Sequence, residues 1–232
     1  MMKFSQRSYT RELLDRDDIP FNDIKLNMQE LDVINTYLGG HGITLTGIKE
    51  LLESQKLEKV VICEIGCGGG DNLYAVNRWC EKNSVAASFI GIDINEHCIS
   101  YAQEKNPSLS CEWIKSDYAK VMFTQKPHII FSSLFCHHFP EDQLQKMFQW
   151  MHDNSSLGFF VNDLHRNRLA YYSIKMLTVI FSRSYLVKND APLSVLRGFS
   201  KSELKTLLSD ASINNHSIKW KWAFRWLIIV KR

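Results

Sequence analysis

Glu64-Ile65-Gly66-Cys67-Gly68-Gly69-Gly70-Asp71 follows directly on a short β-rich run, Val60-Val61-Ile62-Cys63. Glycines let a backbone turn sharply and approach a ligand with no Cβ in the way. A helix opening beyond them offers unpaired N–H donors. In dinucleotide-binding loops those donors meet a pyrophosphate. Here the spacing is G-x-G-x-G, and Asp71 stands where G-x-G-x-x-G needs its third glycine. The Glu64 carboxylate beside the loop repels a pyrophosphate and suits an ammonium or sulfonium group. Asp93 lies 29 residues after Glu64, at the end of a second apolar run, where a carboxylate can accept both hydroxyls of a ribose. Ile94 follows and can lie against a base. Asp117, after a third run, either accepts from an adenine amino group or caps the next turn.

The elements that must carry these residues alternate. Strands are expected at 60–63, 88–92, 111–114, 128–131 and 158–161, with helices from Asp71, from Asn95 as cap to about Lys105, and around Leu144, Met147, Phe148 and Met151. That alternation implies parallel βαβ units and a sheet covered on both faces. Ser200-Lys201-Ser202-Glu203 is a capping box, with Phe199 and Leu204 as hydrophobic staple. Two closely joined strands, about 216–222 and 225–231, must be antiparallel. Ahead of all this, residues 1–55 read as a helical cap: one helix over 21–38 stopped by Gly39-Gly40, a second from Thr46 through Leu52. The remainder, 56–232, reads as one α/β domain with an insert at about 165–198. The insert's helix is apolar nearly all round, which marks it as buried or facing something greasy.

The runs VVICEIGCGGGD, FIGIDIN, KSDYAKV and HIIFSSLFCHHF resemble the motif series of class I S-adenosylmethionine-dependent methyltransferases, over about 59–232. The resemblance implies a Rossmann-like, doubly wound seven-stranded sheet in the order 3-2-1-4-5-7-6, with an antiparallel strand 7. It implies S-adenosyl-L-methionine as cofactor and S-adenosyl-L-homocysteine as product. Glu64, Gly66, Cys67, Gly68 and Gly70 would then hold the methionine end and Asp93 the ribose. Ile94, Asp117 and Tyr118 would surround the adenine, while Ser132 and Ser133, just past strand four, would close over the cofactor. The segments YTRELLD, INTYLGGHGIT, SSLFCHHF, NDLHRNRLAYY and DAPLSVLRGFS further resemble bacterial small-molecule methyltransferases associated with type III polyketide synthases and aryl-lipid or phenolic pigment pathways.

Acceptors of such a fold arrive at the carboxyl end of strand four. No N-P-P-Y-like motif stands there, which argues against base amines of nucleic acid. A phenol, with a pKa near 10, benefits from a base at neutral pH. His138, then His137, are the candidates, with backbone hydrogen bonding at a helix start as their other reading. Asn162, Asp163 and His165, at the end of strand five, are the other candidates for the base. Asp163 reads equally as a cap, and Arg166 and Arg168 as surface charges. Tyr9, Tyr37, His41, Tyr171, Tyr172 and Met176 are expected to line a lid over an aromatic or lipidic acceptor, with weak contact to a membrane surface.

The chain has 232 residues, 45% hydrophobic, and a net charge of +3 with no basic block, which gives no nucleic-acid footprint. Six cysteines without C-x-x-C spacing read as reduced core residues of a cytoplasmic protein, and no metal site is expected from ligand spacing. Neither a signal peptide nor a spanning helix is visible. Three other readings stay open: an NAD-dependent oxidoreductase, which the glycine spacing opposes; a non-catalytic cofactor-binding protein; and C-methylation of a quinol ring in place of O-methylation.

Overall fold

Successive strand residues point to opposite faces of a sheet, and the apolar runs supply two cores. In the computed structural model, which describes residues 4–16 and 18–232, β1 (Val60–Ile65) sends Val60 and Ile62 to one core and Cys63 and Ile65 to the other. It pairs in parallel with β2 (Ala87–Asp93) and β4 (Ile129–Ser133). Outside them, β3 (Cys111–Lys115) and β5 (Gly158–Leu164) continue the parallel sheet. β7 (Arg225–Lys231) runs antiparallel to both β5 and β6 (His216–Lys221), completing the order β3-β2-β1-β4-β5-β7-β6. The β6–β7 turn places Ala223 and Phe224 at φ +58° and +56°, the left-handed backbone region that lets a tight turn match the right-handed twist of its flanking strands.

Among the described residues, eight α-helices accompany the sheet. α1 (Phe21–Tyr37), α2 (Gly40–Leu52), α3 (Asp71–Lys82) and α4 (Glu96–Lys105) come first. α5 (Glu141–Asn154), α6 (Arg168–Phe181), α7 (Tyr185–Arg197) and α8 (Lys201–Asp210) follow. α2 and α3 bury Ile43, Ile48, Leu51, Leu73 and Val76 against Phe131, Phe160 and Leu227. α5 and α8 bury Leu144, Phe148, Leu204 and Leu208 on the opposite face. The Ser200–Glu203 capping box forms, and both staple residues are fully buried. Gly47 brings α2 so near the sheet that a Cβ there would lie 2.6 Å from the Phe160 ring.

Three boundaries differ from expectation. α2 starts at Gly40 rather than Thr46, because Gly39 at φ +76° reverses the chain within one residue and serves as its N-cap. Ser132 and Ser133 are the last residues of β4, not past it, since both pair with β5. The insert holds two helices; Ser184 starts the second by accepting from Val187 N–H.

Candidate active site

The carboxyl ends of β1 and β2 meet at the glycine loop. Gly66, Gly68 and Gly70 take φ +66°, +50° and +76°, a region costly for residues with a Cβ. Gly66 and Cys67 donate N–H to Ile92 O at 2.8 and 3.1 Å. Gly68 N–H reaches Asp93 Oδ2 at 2.9 Å, and Asn95 N–H reaches Oδ1 at 2.9 Å. Each Asp93 oxygen thus keeps one lone pair for a further donor. Burial raises this carboxyl's pKa, and the backbone donors only partly oppose it. A Cβ on Gly66 would strike the Phe135 ring at 2.2 Å and one on Gly70 would strike Trp113 at 2.5 Å, whereas nothing lies within 4 Å of one on Gly68. Of the three, Gly68 offers the open approach. Cys67 is buried, its sulfur 3.1 Å from where a Gly91 Cβ would stand.

Glu64 is buried, and Asn72 Nδ2 of α3 donates to its Oε1 at 2.9 Å. Its Oε2 is buried with no partner. Burial pushes this carboxyl well above its ordinary pKa, and Asp71 and Asp93 add to the effect. Behind Asn72 stands His41: Nδ1 meets Asn72 Oδ1 at 2.9 Å and Nε2 meets Asp32 at 3.1 Å. Burial opposes a charged imidazole here, but Asp32 and Asn72 outweigh it and raise its pKa. His41 therefore orients the carboxylate beside the glycine loop and does not line a lid.

On the far side, Ile94 is 73% exposed beside Asp93. Asp117 caps a one-turn helix by accepting from Ala119 N–H at 3.0 Å. Tyr118 packs edge-on against Phe135, Phe139 and Trp150, and burial pushes its hydroxyl up to about 12.

Two polar groups flank the ends of β4 and β5, one on each face. Toward α2, Asn162 Nδ2 lies within 3.3 Å of Gly40 O, Thr44 Oγ1 and Ser133 Oγ, while its Oδ1 is unpaired. Nearby, Arg225 is buried, bonded to Asn35 Oδ1 at 2.8 Å, with Nε and Nη1 unpartnered; burial pulls its pKa down to about 10. Toward α7, Asp163 Oδ1 meets His137 Nδ1 at 2.8 Å and Oδ2 accepts from His137 N–H at 3.2 Å. Burial raises the Asp163 carboxyl, but His137 more than offsets this and holds it below its ordinary pKa. Between the two faces the chain leaves β4 through Leu134 at φ +53°, strain of the kind that collects at functional sites.

His138, at 22% side-chain exposure, is more open than His137. Both imidazoles turn Nε2 toward Glu12, at 3.7 Å from His137 and 3.8 Å from His138. Arg7 and Arg197 bind the carbonyls of His137 and fix the pair; Arg197 also binds His138 O. Arg225 sits in no motif, and Glu12, although within YTRELLD, carries no local sign of its partners, since it reaches the histidines across 125 residues of chain.

The expected lid residues do not gather. Tyr9 is exposed and bonded to Glu141, and Tyr37 is 83% exposed. Tyr172 and Met176 face outward from α6, whereas Tyr171 is buried against Phe4. His165 accepts from Trp220 Nε1 at 3.3 Å under the hairpin. Arg166, expected at the surface, is buried and paired with Glu203 at 2.7 Å.

A seven-stranded sheet in this order, with a glycine loop after β1 and an acid at the tip of β2, defines the Rossmann-like methyltransferase fold. Residues 62–155 match the family described as methyltransferase domain. The structure is similar to the plantazolicin methyltransferase BpumL in complex with SAH, at 16% identity, covering 93% of this chain and 92% of that one with a TM-score of 0.67. It is also similar to the magnesium protoporphyrin IX methyltransferase of Synechocystis PCC 6803 with bound SAH, at 16% identity, 84% and 83% coverage and TM-score 0.55. A putative O-methyltransferase of Nostoc punctiforme PCC 73102 aligns at 12% identity over 88% of this chain and 59% of that one, with TM-score 0.59. No curated protein matches the chain.

Proposed function

We propose that the protein is an S-adenosyl-L-methionine-dependent methyltransferase acting on a small hydrophobic or aromatic acceptor, by O-methylation of a phenolic, polyketide-type compound. One observation carries the cofactor reading: an open approach over Gly68 flanked by the unpaired, buried Oε2 of Glu64 and the half-satisfied carboxylate of Asp93. A ligand with a cationic amino-acid end and a ribose fits that donor and acceptor set. A dinucleotide, whose pyrophosphate would meet Glu64, does not. The cofactor supplies an electrophilic methyl group on a sulfonium. The chain's own task is to place a nucleophile in line with it and exclude water. Glu64, Gly66, Cys67, Gly68, Gly70 and Asp93 would hold the cofactor, with Ile94, Asp117, Tyr118, Ser132 and Ser133 around it. Phe135 and Tyr118 form the apolar wall beside the loop.

The acceptor's oxygen must lose its proton, and the group around His138, His137, Asp163 and Glu12 at the end of β4 is the candidate to take it. A greasy acceptor also agrees with α6. Leu169, Tyr172, Met176, Val179, Ile180 and Phe181 are exposed along it. Residues 167–189 carry Arg168, Lys175, Arg183 and Lys188 and no acid. Such a face suits the surface of an anionic bilayer, from which a lipidic phenol is drawn. Among the described residues no helix is long and apolar enough to cross a membrane.

Calorimetric titration with S-adenosyl-L-methionine, S-adenosyl-L-homocysteine and NAD tests the cofactor. The first two bind and NAD does not. Asp93→Ala weakens both by about 1.5–3 kcal/mol for each charge-assisted hydrogen bond lost. Mass spectrometry of products from phenolic lipids and hydroxyquinones then separates a methyl ether from a ring-carbon product. His138→Ala abolishes turnover while cofactor affinity stays intact. Unchanged affinity in Asp93→Ala, or preference for NAD, removes the proposal.

A further inference from the structure

We propose that Glu12, His137 and His138 form a binding site for a divalent first-row transition ion. Their ligand atoms lie within 4.8 Å of one another. Both Nε2 atoms point at the same carboxylate, at 3.7 and 3.8 Å. That is too long for a hydrogen bond. It is close to the edge of a coordination polyhedron, where bonds of about 2.1 Å to zinc set ligands ~3.4 Å apart. Neither Nε2 has a hydrogen-bond partner among the described residues, and the same holds for Glu12 Oε2. Glu12 Oε1 accepts from Ser194 Oγ at 2.8 Å, which fixes the carboxylate.

One outer nitrogen fits the pattern: His137 Nδ1 is held by Asp163 Oδ1 at 2.8 Å, whereas His138 Nδ1 lies 3.2 Å from Asp15 Oδ1 without the alignment of a hydrogen bond. Metal-ligating histidines characteristically give their other nitrogen to a carboxylate, which sets the ring and strengthens it as a donor. The charge agrees. Glu12, Asp15, Glu141, Asp163 and Asp190 stand against Arg7 and Arg197, five carboxyl groups to two guanidinium groups, an excess of acid that a dication offsets. Two nitrogens and one oxygen suit zinc, and three protein ligands leave a position open. In the methyltransferase reading, on which this use alone depends, the acceptor hydroxyl fills that position. Its proton passes to solvent, and the phenolate oxygen would take the methyl group from the cofactor's sulfonium, whose S–CH3 bond breaks to leave S-adenosyl-L-homocysteine.

The test titrates chelator-stripped protein with Zn²⁺ and Co²⁺, reading stoichiometry by elemental analysis and affinity by calorimetry. One ion binds per chain. Glu12→Gln and His138→Gln, checked for folding by circular dichroism, lose it, and Asp15→Asn weakens it roughly 10- to 100-fold. Cys98→Ser and His97→Gln leave it unchanged. The Co²⁺ spectrum shows ligand-field bands without a thiolate charge-transfer band. The site is overturned if the stripped protein takes up no stoichiometric ion, if folded Glu12→Gln and His138→Gln bind as before, or if a thiolate band appears. Should either variant fail to fold, Asp15→Asn and the cobalt spectrum decide. S-Adenosyl-L-methionine titration runs in parallel: an ion bound without cofactor binding leaves the site standing and removes the methyltransferase reading.

Discussion

At the scale of single residues, the loop's chemistry turns on Glu64. Its Oε2 is buried and unpaired, and burial raises its carboxyl well above the ordinary range. An acid whose folded pKa exceeds its unfolded value contributes most to stability below the unfolded value and loses that contribution as pH rises through the raised one. A bound cation reverses the preference, because it needs the carboxylate. Cofactor affinity should therefore increase as pH rises through the raised pKa of the free protein. Glu64→Gln keeps the acceptor that Asn72 uses and removes the buried charge. Expected are an unchanged or higher melting temperature at neutral pH and cofactor binding weaker by about 1.5–3 kcal/mol, roughly 10- to 150-fold. The pH dependence should flatten. Calorimetry across pH with a melting curve for each protein reads all three; a variant that binds normally would separate Glu64 from the ligand.

At the scale of elements, the three left-handed glycines have different duties. Gly66→Ala drives a Cβ into Phe135, whereas Gly68→Ala meets no atom within 4 Å and carries only the left-handed backbone cost of about 1–2 kcal/mol. Gly66→Ala should lower the melting temperature clearly. Gly68→Ala should leave it nearly intact and still block the cofactor, as parallel thermal-shift and calorimetry runs would show. The same scale explains what was legible in the sequence. Strand runs, the Asn95 cap and the Ser200 capping box are local rules, and all form. Gly39 does stop α1, as its type implies, but its φ of +76° also makes it the N-cap of α2, which glycine alone does not announce. α6 was read as a lid because apolar content says that a face wants cover but not what covers it; Tyr172 and Met176 point outward at 60% and 59% exposure. Met176→Glu with Phe181→Glu should leave folding intact and reduce co-sedimentation with anionic vesicles, with no comparable change on neutral ones. Equal sedimentation of both proteins would deny α6 that role.

At the scale of the molecule, the amino-terminal segment brings together what the sheet alone would leave apart. Glu12 and Asp15 reach the histidines after β4 because the segment is anchored by buried Arg7 and, beyond it, by Asp190, which accepts from Leu13 and Leu14 N–H, and by Arg197, which binds Thr10 O. Arg7 Nε donates to Arg197 O at 2.9 Å and its Nη2 to His137 O and Phe139 O at 3.2 and 3.0 Å; Nη1 pairs with Glu141 at 3.1 Å. The guanidinium also lies 4.4 Å from the centre of the Phe199 ring. All of these partners lie 130 or more residues from Arg7, which is why no local pattern announces it. The glycine loop, by contrast, is built from β1, β2 and α3 and does not touch this anchor. Arg7→Met should therefore divide the two halves of the site. Removing a buried fork leaves carbonyls short of donors and costs about 2–4 kcal/mol. In a chain this long that is a melting-temperature drop of roughly 5–15 °C. Cofactor affinity, measured well below the new transition, should stay within about threefold, less than the tenfold that 1.4 kcal/mol represents. Methyl transfer should fall far more, because Glu12, Asp15 and both histidines lose their fixed geometry together. Arg7→Lys should not rescue it, since a single ammonium cannot serve carbonyls that a planar guanidinium spans. An Arg7→Met protein with normal turnover would show that the segment only shields the fold, and that acceptor chemistry lies on the α2 side with Asn162 and Arg225.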